Sequence, residues 1–148
     1  MGFFFNRGTR NRSIYEFDVA AAFENMNAFH EQMRRDRAEA KAIGNRQRRL
    51  SIAAIKVQAL QLGLTAERAA AILLLACPHV LYAEMDYRSG RAPFQLRADM
   101  PFRNEIAIVL HLAIQQAVAV ITKEERHMNY DLRFEIETLL LAAHDALA

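Results

Sequence analysis

The sequence predicts an all-α chain folded as a single-domain helical bundle, on three observations. The vocabulary is helical: 26 alanines and 16 leucines stand against six valines, and alanine and leucine are the least costly residues to place in a helix. Punctuation is sparse, since five glycines and three prolines in 148 residues cannot supply the turn every roughly 8–12 residues that a β-sandwich needs. Apolar residues recur at alternating spacings of three and four, the period of an amphipathic helix. With 53% hydrophobic and 24% charged residues the chain is too apolar to be disordered. A domain of this length buries roughly two-thirds of its unfolded surface, so the fold requires neither disulfide nor metal.

Residues 1–12 read as a flexible basic and aromatic arm, with Phe3, Phe4 and Phe5 ahead of Arg7, Arg10 and Arg12. Residues 13–148 are the expected bundle of about five helices. Ser13 and Glu16 form a capping box, and behind it Tyr15, Val19, Ala22, Met26, Phe29 and Met33 follow at spacings of 4, 3, 4, 3 and 4, with Phe23 widening the stripe. This long first helix is expected to end at Ile43, with Gly44 in the left-handed position that closes it. A second helix is expected from about Gln47 to Gln61, facing inward with Leu50, Ala53, Ala54, Val57 and Leu60, and closed by Gly63. Thr65 can cap a third, running to about Tyr87. That helix is apolar nearly all round, and so central, and kinked at Pro78, which lacks an N–H and crowds the carbonyl of Leu74. Residues Arg88 to Met100 form the one long loop. Pro101 then opens a fourth helix capped from Asp99 or Met100, with Phe102, Ile106, Val109, Leu110, Ala113, Ala117 and Ile121 inward. A fifth, from Asn129 to Asp131 onward, turns Leu132, Ile136, Leu139, Leu140, Ala143 and Leu147 inward.

Cys77, the single cysteine, excludes an internal disulfide. Phe3–Phe5 is too short for a secretory core, and Asn6 stands where myristoylation wants Ser or Thr. The two most apolar runs, Ala69–Ala83 and Ile106–Ile121, have 15 and 16 residues against about 20 for a bilayer span. The expected setting is the cytoplasm, with no integral membrane span. A helix from Ile14 to Ile43 would be about 45 Å long, against a radius of gyration of about 15 Å for a compact chain of this size. Such a helix would overhang a monomer, so the alternatives are an elongated bundle, a break in the helix, or a homodimer whose second copy covers the excess.

Catalytic patterns are sparse. The three serines lie in no nucleophile elbow, and no glycine-rich loop offers a phosphate cradle. Glu124 and His127 make one Glu-x-x-His, where a di-iron bundle needs two on separate helices. Arg103 and His111 stand too far apart for an Arg-x-x-x-x-His nuclease pattern, and Glu84 and Asp86 read as salt-bridge partners of the loop arginines. Cys77-Pro78 resembles a haem-responsive dipeptide, but its apolar neighbours make Cys77 a core residue. Gln58–Leu73 carries the small residue and turn glycine of a helix-turn-helix, yet Ala69–Ala71 and Leu73–Leu75 occupy the place of base-reading side chains, so an αα-corner is expected. No cofactor, metal or catalytic role is expected.

The net charge of +2 hides an asymmetry: residues 1–60 carry +5 and residues 61–148 carry −3. Arg34, Arg35, Arg37, Lys41, Arg46, Arg48 and Arg49 oppose only Asp36 and Glu39, a net +5 in 16 residues. Such crowding repels itself unless an anionic partner compensates. Arg88, Arg91 and Arg97 around Phe94 add a loop with the composition of interface hot spots, and Phe3–Phe5 add an exposed apolar tip. The expected function is a non-catalytic protein-binding module (adaptor, inhibitor or immunity-type protein, or assembly subunit) contacting an acidic partner through these residues. The alternative is a nucleic-acid-binding accessory protein using the same arginines.

Overall fold

The computed structural model describes residues 8–91, 96–124 and 128–147, with side chains over 18–91, 96–124 and 132–147. Among the described residues every regular element is helical: α1 (Gly8–Gly63), α2 (Ala66–Ala76), a 3₁₀ turn (Cys77–His79), α3 (Val80–Arg88), α4 (Arg103–Lys123) and α5 (Met128–Leu147). The chain divides into two compact units, Met1–Glu39 and Ala40–Ala148. The arm expected at residues 1–12 lies largely outside the described residues, and α1 already begins at Gly8 within it.

In the first unit α1 exposes much of the apolar stripe read from its spacing. Val19, Phe23, Met26 and Phe29 are 38–62% exposed, and only Met33 is half-buried. The heptad spacing that marks an amphipathic helix is intact, but among the described residues no element of this unit covers it.

In the second unit α1 passes through Gly44 without ending. Glycine inside a helix costs about 1 kcal/mol relative to alanine. Here it gives room for another side chain, because a Cβ on buried Gly44 would fall on Cγ of Glu124. The inward face of α1 also differs from the expected one. Leu50, Ala53 and Val57 are exposed, while Ser51, Ile55, Ala59 and Gly63 are buried. The helix is rotated so that a row of mostly small residues lies inward. At Gly63 it comes close to backbone, where a Cβ would meet the N and Cα of Ala69 at 2.5 and 2.9 Å.

Between α1 and α2 the left-handed position falls to Leu64 (φ 71°) rather than to Gly63. Thr65 then caps α2, its Oγ1 accepting from the N–H of Arg68 at 3.2 Å. This is the expected αα-corner. At Pro78 the hydrogen bonding tightens: the Leu74 carbonyl, which would otherwise await a donor at position 78, accepts the Cys77 N–H, and Cys77 O accepts from Val80. The expected kink is thus a 3₁₀ turn. The segment is not central all round, since Leu74, Leu75, Leu81, Tyr82 and Met85 are exposed.

Pro101 does not open α4. Phe102 stands before the helix in left-handed backbone (φ 56°), its carbonyl taking the Ile106 N–H at 2.8 Å, and Arg103 is the first helical residue. The Arg68 guanidinium lies 5.3 Å from the Phe102 ring centroid, a cation–π contact that accompanies this turn. Ile106, Val109, Leu110, Ala113, Ala117 and Ile121 of α4 are buried as expected, as are Leu132, Ile136, Leu139, Leu140 and Ala143 of α5. By length and composition, Ala66–Arg88 and Arg103–Lys123 are both long and apolar enough to cross a membrane. Both also supply the core of this unit.

Two substitutions test the α1–α2 corner. Gly63→Ala should destabilise the chain by about 1–3 kcal/mol, because the added methyl meets backbone that cannot give way. Leu64→Gly should stabilise it by about 1 kcal/mol, by relieving a left-handed leucine. Urea unfolding followed by circular dichroism measures both.

Candidate interaction surface

Arg34, Arg35 and Arg37 of the basic cluster belong to the first unit, and Lys41, Arg46, Arg48 and Arg49 to the second. In the first unit Arg34 and Arg35 reach Glu31 one helical turn away, at 2.9 and 3.3 Å, with all three side chains more than half exposed. Exposed pairs of this kind contribute about 0–1 kcal/mol, which leaves both guanidiniums available to a stronger anion. Gln32 donates to Asp36 at 2.8 Å, so that carboxylate is engaged beside the arginines. Arg37 is exposed. With His30, Met33 and Arg34 it lines an open, largely apolar hollow.

In the second unit Lys41, Arg46 and Arg49 are exposed, but Arg48 is not a surface cation. Its Nε and Nη2 donate to Oε2 and Oε1 of Glu135, both at 2.9 Å, in the parallel fork that suits guanidinium to carboxylate. Nη2 also donates to Glu124 Oε1 at 3.0 Å, and Nη1 to Asn45 Oδ1 at 2.9 Å. The Glu135 side chain is 2% exposed. Its hydrogen bonds hold the Arg48 guanidinium more basic than usual, outweighing the opposing desolvation, with the charges of Glu135 and Glu124 adding to the effect. Beside this triad Ser51 donates to Gln116 Oε1 at 2.7 Å and receives a bond from Gln47 at 3.2 Å, which satisfies the buried hydroxyl. Arg48, expected at the partner-binding surface, is thus already held by two carboxylates and an amide of its own chain. The sequence hid this because Arg48 stands in a run of arginines, whereas Glu135 among apolar α5 positions was the visible signal.

The loop arginines are held locally. Arg88 lies 3.4 Å from Glu84, Arg91 3.7 Å from Asp86 and Arg97 2.9 Å from Asp99, the salt-bridge reading of those acids. Arg103 donates to the Leu96 carbonyl at 3.2 Å, and His111 pairs with Gln115 at 3.1 Å on the exposed side of α4. Phe94 and Phe3–Phe5 lie outside the described residues, as do Glu125 and His127 of the Glu-x-x-His run. Among the described residues no three His, Cys, Asp or Glu side chains gather as a metal site. Cys77 is half-buried, its Sγ donating to the Leu73 carbonyl at 3.4 Å. Burial raises its pKa, reinforced by the nearby Glu137 charge.

Two measurements follow. Arg48→Met leaves Glu135 buried without its cation and should cost roughly 3 kcal/mol, whereas Arg48→Met with Glu135→Leu should recover much of the loss; urea unfolding reads both. The neutral thiol is the form that the fold favours at Cys77. Its alkylation rate should therefore rise with pH later in the native chain than in the urea-unfolded one, and coincident pH profiles would refute this.

Compared with known protein families, curated proteins and solved structures, the chain matches none, so its function is inferred from its own residues.

Proposed function

We propose that this chain is a non-catalytic protein-binding module, working in the cytoplasm, that contacts an acidic partner through Arg34, Arg35 and Arg37. In this reading the second unit is a helical bundle that serves as scaffold, and the module acts as an adaptor, an inhibitor or an assembly subunit. One observation carries the reading: on α1 three exposed arginines adjoin an exposed row of Val19, Phe23, Met26 and Phe29. Apolar anchors give a protein interface its affinity, and arginines at the edge give it partner choice and forked contacts to carboxylates. Within the second unit, taken by itself, Lys41, Arg46 and Arg49 are exposed as well. Glu84, Asp86, Glu124 and Glu135 each hold an arginine.

Nucleic acid would use the same arginines without the apolar row, and salt separates the two. A phosphate-bound complex should weaken steeply as log salt rises, while a phenylalanine-anchored one should weaken mildly. Affinity capture with the full chain should return an acidic protein that is lost with Arg34/Arg35/Arg37→Glu. An unchanged catch with that variant removes the arginines from the site. Retention on a nucleic-acid column, again lost with the variant, would favour the second reading.

A further inference from the structure

We propose that the stretch of α1 from Asp18 to Glu39 opens and closes on its own in the free chain, while α1 from Ser51 to Gly63 stays folded. Packing is what this stretch lacks. Every residue from Asp18 to Glu39 except Ala21 and Met33 is exposed, the apolar ones included. Helices in proteins owe most of their stability to one packed face. Where apolar contacts are few and backbone hydrogen bonds face water, opening is local and far less costly than unfolding the domain. Further along, α1 buries Ser51, Ile55, Ala59 and Gly63, and its Arg48 pairs with buried Glu135. Opening there exposes the core and strands a buried charge.

Local terms do not make up the difference. Five alanines in this stretch favour helix, while Val19, Asn25, Asn27, His30 and Asp36 are weaker formers. The Glu31–Arg34, Glu31–Arg35 and Gln32–Asp36 pairs each shift the helix–coil balance by about twofold at most. Without packing, each residue therefore extends the helix with a factor near one. The costly nucleus is already supplied, because the same helix is packed further along. Helix is thus regrown readily from the Glu39 end and lost first at the Asp18 end, so protection should fall from Glu39 toward Asp18.

For a partner seated on Val19, Met26 and Phe29, as the protein-binding reading has it, only the closed helix is competent to bind. The apparent affinity is then reduced by the closed fraction. Residues off the contact row tune it through helix content alone. Asn25 and Asn27 are of this kind, each about 100° around the helix from Met26.

The test is amide hydrogen exchange of the full chain at neutral pH, read by mass spectrometry with no partner present. Amides of residues 18–39 should exchange at least about a hundredfold faster than those of residues 51–63. Asn25→Ala with Asn27→Ala should slow exchange in residues 18–27 by about two- to tenfold. Ala28→Gly should speed it about fivefold in residues 18–28. Both variants should leave residues 51–63 unchanged. Ile55→Val, in the core, should do the reverse, speeding exchange in residues 51–63 and leaving residues 18–39 as they were. Equal protection of the two stretches would overturn the proposal. So would an Ile55→Val variant that moves both alike, or an Ala28→Gly variant that leaves residues 18–28 unmoved. These rates belong to the free chain, so any such result leaves the protein-binding reading standing, and a failed affinity capture leaves the rates as they are.

Discussion

A buried carboxylate sets the terms on which the second unit holds together. Glu135 sits among Leu132, Ile136 and Leu139 on the inward side of α5, almost without solvent. An unpaired charge there would cost several kcal/mol. Arg48 supplies two parallel hydrogen bonds to it, and supplying them fixes both where α1 crosses α5 and how α1 is turned about its axis. The same guanidinium takes Glu124, which ends α4 at a position where a carboxylate works against the helix dipole. One cation thus ties the termini and faces of three helices. Such a triad is a specifier of register rather than a large source of net stability, because the desolvation of its members offsets much of their attraction.

Once Arg48 points inward, the rest of that face of α1 follows at spacings of three and four. Gly44 gives way to Glu124, Ser51 binds Gln116, Ile55 and Ala59 enter the core, and Gly63 meets Ala69. Small residues on this row let backbones approach. The larger apolar residues next to it, Leu50 and Val57, are turned outward. An apolar stripe judged by hydrophobicity alone is therefore the wrong face here, since a polar pair in the core outranks two exposed aliphatic side chains. Gly44 follows the same logic. In isolation it is a helix-stopping signal, and in the folded chain it is the clearance for a side chain from α4.

The helical class, the capping by Thr65, the disturbance at Pro78 and the inward faces of α4 and α5 were legible because each is a local property: composition, a side chain reaching its own backbone, a missing N–H, or a period of 3.6. The candidate site was legible in part. Arg34, Arg35 and Arg37 could be seen as a cluster, and they are exposed. Arg48 in the same run could not be told apart from them, because its role depends on Glu135, 87 residues away. The stripe from Val19 to Met33 was legible as an amphipathic face, but its spacing is the same whether the covering surface belongs to this unit or to another molecule.

By itself, then, the sequence determined the helical class, the local caps and turns, and the segregation of charge, since these follow from near neighbours along the chain. The tertiary structure decided which face of α1 is turned inward, that the helix passes Gly44, and which of seven basic residues is committed to the interior. Those outcomes depend on desolvation and on pairing between residues far apart in sequence. Neither quantity exists until the helices meet.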